Sequence, residues 1–209
     1  MTGIKICGLR RIADAEKCNM LKPDFAGVIL CRGRKRSISY EEAKAIRDKL
    51  SPEIKLVGVF LNDEIVDIVR YVQNDIIQAV QLHGQESDDY IDGLKSRLDK
   101  DITVIKAVSV TDENSIEYAN RCKADLVLLD SGIGGTGKNF DWSFTKKMKK
   151  EFILAGGLNC DNVKSAIKTS APRYVDVSSG VETDGYKDFA KMKVFCDNVR
   201  DIENGGKYE

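Results

Sequence analysis

The amino-acid sequence predicts a single-domain (β/α)8 barrel whose active site lies at the carboxyl ends of its strands. Eight short apolar runs alternate along the chain with longer charged segments that have helical spacing. Most of these runs are apolar at nearly every position, which is typical of parallel strands covered on both faces. No proline-rich or serine-rich linker divides the 209 residues, so one compact barrel is favoured. An open, doubly wound sheet is the alternative architecture.

The eight predicted strands are short runs with many β-branched residues. In chain order they are IKIC (4–7), FAGVIL (25–30), IKLVGVF (54–60), AVQL (79–82), TVIKAV (103–108), DLVLL (125–129), FILA (152–155) and YVDVS (174–178). Strands alternating with helical segments indicate repeated βα units, and eight such units suggest a closed barrel.

Helical spacing is clear in the segments between the strands. In NDEIVDIVRYVQ, the apolar residues Ile65, Ile68 and Val69 fall at i, i+3 and i+4, and Asn62 is the predicted cap. The segments SYEEAKAIRDKL and NCDNVKSAIKT have similar spacing. The barrel is predicted to span residues 1–200, with a polar, frayed tail over 201–209.

Composition narrows the class of protein. Lysine and arginine balance aspartate and glutamate at 33 each, so no broad field for nucleic acid is expected. There is no apolar signal region and no apolar run near the ~20 residues of a membrane span, so a cytoplasmic protein without membrane contact is expected. Six scattered cysteines disfavour a disulfide framework or a zinc cluster, and a single histidine disfavours a multi-histidine metal site. A monomer and a homodimer both remain open.

Polar residues and glycines follow several predicted strands, at the end where such a barrel carries its chemistry. They are Cys7 and Gly8 after strand one, QLHG (81–84) at strand four, Asp130 after strand six, LAGGL (154–158) at strand seven and DVSSGVE (176–182) at strand eight. Together they predict an active site that draws on five strands.

The loops after strands seven and eight are glycine-rich, in AGGLN (155–159) and SSGVE (178–182). Glycine lets the backbone approach an anion, and a helix N-terminus adds free amide donors. We therefore expect a phosphorylated small-molecule substrate, held mainly by the amides of Gly157, Ser179 and Gly180. The alternative is that the glycines only make tight turns.

Alternation along strand one separates its two faces. Ile4 and Ile6 suit the helix-covered outside, which directs Lys5 and Cys7 into the barrel. A buried ammonium needs a partner, and strand eight, which closes the barrel beside strand one, offers Asp176, a residue that we also expect among those that bind substrate. The nearby cation of Lys5 favours a thiolate, so Cys7 is a candidate general base. The alternative is that Cys7 is a small buried residue that only fills space in the core.

Asp130 is an acidic residue at the end of an apolar run. Partial burial favours the protonated form of a carboxyl group, which suits a general acid, although a turn cap is the alternative. The loop over 131–142 contains four glycines and is either a lid or an inert surface loop. His83 ends strand four and either faces the site or has a structural role.

The segment CRGRKRSIS (31–39) follows strand two and has four cationic side chains, at positions 32, 34, 35 and 36. A run of charged residues usually forms a solvent-exposed surface with no further role. At the rim of a phosphate-binding barrel, however, an arginine can grip a substrate carboxylate with its bidentate fork.

Six motifs, in order, resemble the phosphoribosylanthranilate isomerase family of tryptophan biosynthesis. They are KICG at strand one, KRSIS after strand two, QLHG at strand four, LLD…GGTGKNFDW around strand six, LAGGLN at strand seven and VDVSSGVE at strand eight. The resemblance covers residue 4 to about residue 195, which is nearly the whole chain. It implies a (β/α)8 barrel that performs an Amadori rearrangement without a cofactor or a metal.

The resemblance also implies roles for three residues. Cys7 in KICG matches the general base of the family, Asp130 in LLD matches its general acid, and Arg36 in KRSIS matches the arginine that contacts the anthranilate carboxylate. One departure concerns the end of strand two. Relatives often have aromatic residues where this chain has Val28, Leu30 and Cys31, which affects ring packing rather than the chemistry.

Two other functions are alternatives to this one. The histidine-pathway sugar isomerase runs the same chemistry on an aminoimidazole substrate, but its family resembles two duplicated halves and has an aspartate in place of Cys7. A non-catalytic barrel that binds a phosphorylated ligand or regulates a partner is the other alternative. The presence of both Cys7 and Asp130 argues against it.

Overall fold

The structure is a computed structural model that describes residues 1–31, 33–34, 36–98, 102–131 and 140–203. Eight parallel strands form a closed barrel in chain order, and the last strand pairs with the first. The strands are β1 (Gly3–Cys7), β2 (Phe25–Ile29), β3 (Lys55–Phe60), β4 (Ala79–Leu82), β5 (Thr103–Ser109), β6 (Leu126–Asp130), β7 (Phe152–Leu154) and β8 (Tyr174–Val177). The predicted closed barrel is confirmed, and the open sheet is ruled out.

Helices cover the outside of the barrel. They are α1 (Ile12–Leu21), α2 (Tyr40–Lys49), α3 (Ile65–Gln73), α4 (Asp88–Lys95), α5 (Glu113–Arg121), α6 (Val163–Ser170) and α7 (Phe189–Glu203). Between β6 and β7, the described residues form a 3₁₀ helix, Trp142–Lys147, rather than an α-helix. After β8 come a 3₁₀ turn, Ser179–Val181, and a short antiparallel hairpin of β9 (Glu182–Thr183) and β10 (Tyr186–Lys187).

Several sequence predictions fall on residues that the structure leaves undescribed. Most of the predicted lid, 132–139, lies outside the described residues, as do Arg32 and Lys35 of the charge run. Helix α7 continues to residue 203, and the rest of the predicted tail, 204–209, is outside as well. The described ranges contain no helix that is both long enough and apolar enough to cross a bilayer.

The predicted helix cap at Asn62 is wrong. Helix α3 begins at Ile65, and its N-cap is Glu64, which makes no side-chain cap hydrogen bond. Asn62 instead has a left-handed backbone (φ 55°). Its Oδ1 accepts a 2.6 Å hydrogen bond from the amide of Gln85, in the loop after β4. The polar side chain therefore ties two loops together.

The two faces of β1 are as predicted. Ile4 and Ile6 belong to the core between barrel and helices, while Lys5 is fully buried inside the barrel. Lys5 lies beside Asp176 in the β1–β8 register, and its Nζ donates to Asp176 Oδ1 at 2.9 Å. Burial alone lowers the pKa of Lys5, but Asp176 and Cys7 outweigh it, so the pKa lies above its ordinary value. This ion pair fixes the layer beneath the carboxyl ends of the strands.

Candidate active site

Cys7 is the last residue of β1 and is 7 % exposed. Its neighbour across the β1–β2 pair is Gly27, where an added Cβ would lie 2.8 Å from Cys7 Sγ. Glycine in β2 therefore makes room for the thiol. The Lys5–Asp176 pair lies one layer below, so Asp176, which was predicted to bind substrate, is engaged with Lys5 and is 11 % exposed.

Asp130 is the last residue of β6, with β7 and β8 between it and β1 in the barrel order. Its Oδ1 accepts hydrogen bonds from the amide of Ser131 at 2.7 Å and from the Ser131 hydroxyl at 3.3 Å. Gly156, with φ +82°, packs against the same carboxylate, since a Cβ there would lie 2.8 Å from Oδ1. One oxygen is thus held by the chain, and Oδ2 is the oxygen on the side of His83.

His83 lies next to Asp130, with 3.9 Å between His83 Nε2 and Asp130 Oδ2. On its other side, His83 Nδ1 is 3.0 Å from Gln81 Nε2. As the Gln81 amide is oriented, its NH₂ donates to Nδ1, and a neutral ring then has its proton on Nε2, towards Asp130. Burial lowers the pKa of His83 despite the opposing effect of Asp130, so the ring favours its neutral form.

A cavity of about 420 Å³ opens at the carboxyl ends of β4, β5 and β6, with His83, Lys106 and Asp130 in its lining. Lys106 Nζ donates to the carbonyl of Gly84 at 2.6 Å and to Glu86 Oε2 at 2.9 Å. This buried ion pair shapes the loop that holds His83. The cavity reaches the Asp130 side of the mouth, whereas Cys7 lies outside its lining.

Arg36 reaches across the mouth from the loop after β2 to the residues after β8. Its Nη1 donates to Ser178 Oγ at 2.8 Å and lies 3.5 Å from Glu182 Oε1. Lys187 Nζ donates to the same Glu182 oxygen at 2.6 Å. The guanidinium is therefore anchored at the rim beside the loops predicted to bind phosphate.

The loops after β7 and β8 pack tightly together. A Cβ at Gly180 would lie only 2.0 Å from the carbonyl oxygen of Leu158, and Gly157 has φ +68°. Within the described ranges, no acceptor is found for the amides of Gly157, Ser179 and Gly180. Three donors at one rim suit an anion, because backbone N–H groups near a helix N-terminus bind phosphate.

Two parts of this arrangement were missed by sequence reasoning. The Lys187–Glu182 pair had no sequence signal, since it depends on the β9–β10 hairpin. Lys106 did carry one, because it is a polar residue in an otherwise apolar strand, as Lys5 is. Within the described ranges, no three His, Cys, Asp or Glu side chains are grouped so as to hold a metal ion.

The fold and the site together define a (β/α)8-barrel enzyme with a thiol and a carboxylate at strand ends, beside glycine-rich loops. The model of the family N-(5'-phosphoribosyl)anthranilate isomerase matches residues 4–198. A protein of that name from Thermoanaerobacter pseudethanolicus is 43 % identical over 208 residues, covering 97 % of this chain and 100 % of its own. This chain belongs to the N-(5'-phosphoribosyl)anthranilate isomerase family.

Solved structures of the family share the fold. The phosphoribosyl anthranilate isomerase of Thermus thermophilus has a TM-score of 0.86 at 29 % identity, covering 97 % of this chain and 100 % of its own. Another, with a TM-score of 0.81 at 38 % identity, covers 96 % of this chain and 99 % of its own. That protein was solved with reduced 1-(o-carboxyphenylamino)-1-deoxyribulose 5-phosphate bound.

Proposed function

We propose that this chain converts N-(5-phosphoribosyl)anthranilate into 1-(o-carboxyphenylamino)-1-deoxyribulose 5-phosphate in tryptophan biosynthesis. The observation that carries the proposal is the family match over residues 4–198, with Cys7 and Asp130 both at strand ends facing the barrel mouth. The substrate is a phosphorylated small molecule with a carboxylate, and each part has a matching region in the site.

In the proposed reaction, Asp130 is the general acid. It protonates the furanose ring oxygen, and the ring C–O bond breaks as the nitrogen lone pair forms a Schiff base at C1′. The hydrogen bonds from Ser131 hold Oδ1, which leaves Oδ2 to carry the transferred proton. His83 supports this role because its Nε2 proton points towards the carboxylate left behind.

Cys7 is the proposed general base. Its thiolate takes the proton from C2′, and the electrons of the C–H bond move to neutralise the iminium and form an enolamine. The enolamine then tautomerises to the keto product. Lys5 lies on the same face of β1, one layer beneath Cys7, and its ammonium is paired with Asp176.

Substrate binding is assigned to three regions of the mouth. The amides of Gly157, Ser179 and Gly180 are the proposed phosphate donors, and Arg36 is the proposed partner of the anthranilate carboxylate. An apolar cluster that includes Cys7 is the proposed binding site of the anthranilate ring. It comprises Cys7, Cys31 and Val59, with Ile29 and Leu61 packed against them.

A fluorescence assay that follows consumption of phosphoribosylanthranilate by the purified protein tests the proposal. Absence of turnover by the wild type would overturn it. C7S and D130N should each lower kcat by about 10²-fold or more, the usual scale for acid–base groups. C160S is the matched control and should keep the wild-type rate, because Cys160 is half-buried and its Sγ donates to the carbonyl of Lys191 in α7. A near-normal rate in either active-site variant would remove that residue from its role.

A further inference from the structure

The Lys187 side chain is fully buried at the barrel mouth. It lies on β10, where its Nζ donates to Glu182 Oε1 at 2.6 Å and to the carbonyl of Ser178 at 3.0 Å. Burial lowers the pKa of Lys187, although Glu182 and Cys7 both favour the charged form. An ammonium is buried only where such partners compensate it, and this one lies beside the proposed catalytic thiol.

The side chains of Lys187, Arg36 and Ser178 all lie close to Gly8. A Cβ built on Gly8, immediately after β1, would lie 3.2 Å from Ser178 Oγ, 3.6 Å from Lys187 Nζ and 3.7 Å from Arg36 Nη1. The absence of a side chain at Gly8 therefore leaves a small cradle lined by a hydroxyl and two cationic groups.

Glu182 introduces a carboxylate where a substrate carboxylate is to be bound. Its Oε1 lies 3.5 Å from Arg36 Nη1, close enough to cancel much of the attraction between Arg36 and another anion. The same oxygen is nearer to Lys187, at 2.6 Å. The Lys187–Glu182 pair is thus close to neutral as a unit, and the charge of Arg36 remains in excess.

We propose that Lys187 is a positioning residue that neutralises Glu182, so that Arg36 stays available to the carboxylate of the substrate. This inference rests on the proposed function, because it takes Arg36 as the partner of that carboxylate. Lys187 itself touches no reacting atom. It acts through Glu182 on the charge and placement of the guanidinium.

The test compares K187M, E182Q and the double variant K187M/E182Q. Each is assayed for KM and kcat, and for the Kd of reduced 1-(o-carboxyphenylamino)-1-deoxyribulose 5-phosphate by titration calorimetry, with thermal unfolding as a check on folding. K191M is the matched control, since Lys191 lies in α7, is exposed, and its Nζ donates to the backbone carbonyl of Glu182 rather than to the carboxylate. It should keep the wild-type KM and Kd.

K187M should raise KM and Kd by about tenfold, with a smaller change in kcat, because an uncompensated Glu182 then opposes Arg36. E182Q should bind at least as tightly as the wild type, and the double variant should recover most of the loss. A merely structural role for Lys187 predicts that the loss and its rescue appear in thermal unfolding, with KM and Kd unchanged in the folded protein. The proposal is overturned if K187M binds normally, or if E182Q or the double variant binds about tenfold more weakly than the wild type.

Two features keep these outcomes decisive. If K187M fails to fold, the double variant still discriminates, because it lacks both charges of the buried pair, whereas E182Q keeps the buried Lys187 ammonium with the Ser178 carbonyl as an acceptor. The calorimetric Kd does not require turnover. An inactive wild type would therefore overturn the proposed function, while the pattern of Kd values would still decide the role of Lys187.

Discussion

Replacement of Lys5 by methionine should destabilise the protein substantially. Lys5 is fully buried and its Nζ is 2.9 Å from Asp176 Oδ1, so K5M leaves a carboxylate inside the barrel without its cation. Breaking a buried pair by removing one partner costs about 3–5 kcal/mol. Asp176 is 11 % exposed and regains some solvation, so the lower end applies, about 3 kcal/mol.

Urea denaturation at pH 7 would measure this free energy of unfolding directly, and a loss of about 3 kcal/mol corresponds to a fall in Tm of roughly 6–12 °C for a chain of this length. The matched control is K44M, because Lys44 forms an exposed i,i+4 pair with Asp48. Exposed pairs contribute about 0–1 kcal/mol. The double variant K5M/D176N should recover much of the loss. A loss in K5M no larger than in K44M would refute the reasoning.

Three further predictions follow from the site and its support. R36A should raise KM by roughly 10- to 100-fold with little change in kcat, as expected for a binding group; a change confined to kcat would contradict it. G180A should weaken competitive inhibition by inorganic phosphate, because its Cβ would lie 2.0 Å from Leu158 O and separate the two loops; unchanged inhibition would argue against the phosphate site. Although burial raises the pKa of Glu86, hydrogen bonds from the backbone and Lys106 outweigh it and lower the pKa. The resulting stabilisation is present above about pH 4.3, the ordinary pKa of glutamate, and is lost as the pH falls through the lower folded-state pKa. Urea titrations should therefore show that E86Q has a much lower free energy of unfolding than the wild type at pH 7, and that this difference shrinks by pH 3. An equal difference at both pH values would refute this.

The features that the sequence predicted correctly are those with a local cause. Strand alternation is a property of a few consecutive residues, so it placed Ile4 and Ile6 outside and Lys5 inside before any neighbour was known. The number of predicted strands, eight, then indicated a closed barrel in which the last strand lies beside the first. It put β8 beside β1, and the Lys5–Asp176 pair is present as expected.

The features that sequence reasoning missed depend on loops meeting across the barrel. Asn62 looks like a helix cap locally, yet it bonds to Gln85, which is 23 residues away. Arg36 and Ser178 are 142 residues apart in the chain and meet only because β2 and β8 both flank β1. The spacing of apolar residues over a dozen positions cannot reveal a contact between residues so far apart in the chain.

Buried lysines support the candidate site on several sides. Lys5 pairs with Asp176 under Cys7, Lys106 pairs with Glu86 under the loop of His83, and Lys187 pairs with Glu182 behind Arg36. Each pair fixes a strand end or a loop without adding net charge. Dipoles and charges that are fixed before substrate arrives need no reorganisation during the reaction. The field at the mouth is therefore set by groups left outside these pairs, such as the amides of the glycine loops and the guanidinium at the rim, which are the groups proposed to bind the two anionic ends of the substrate.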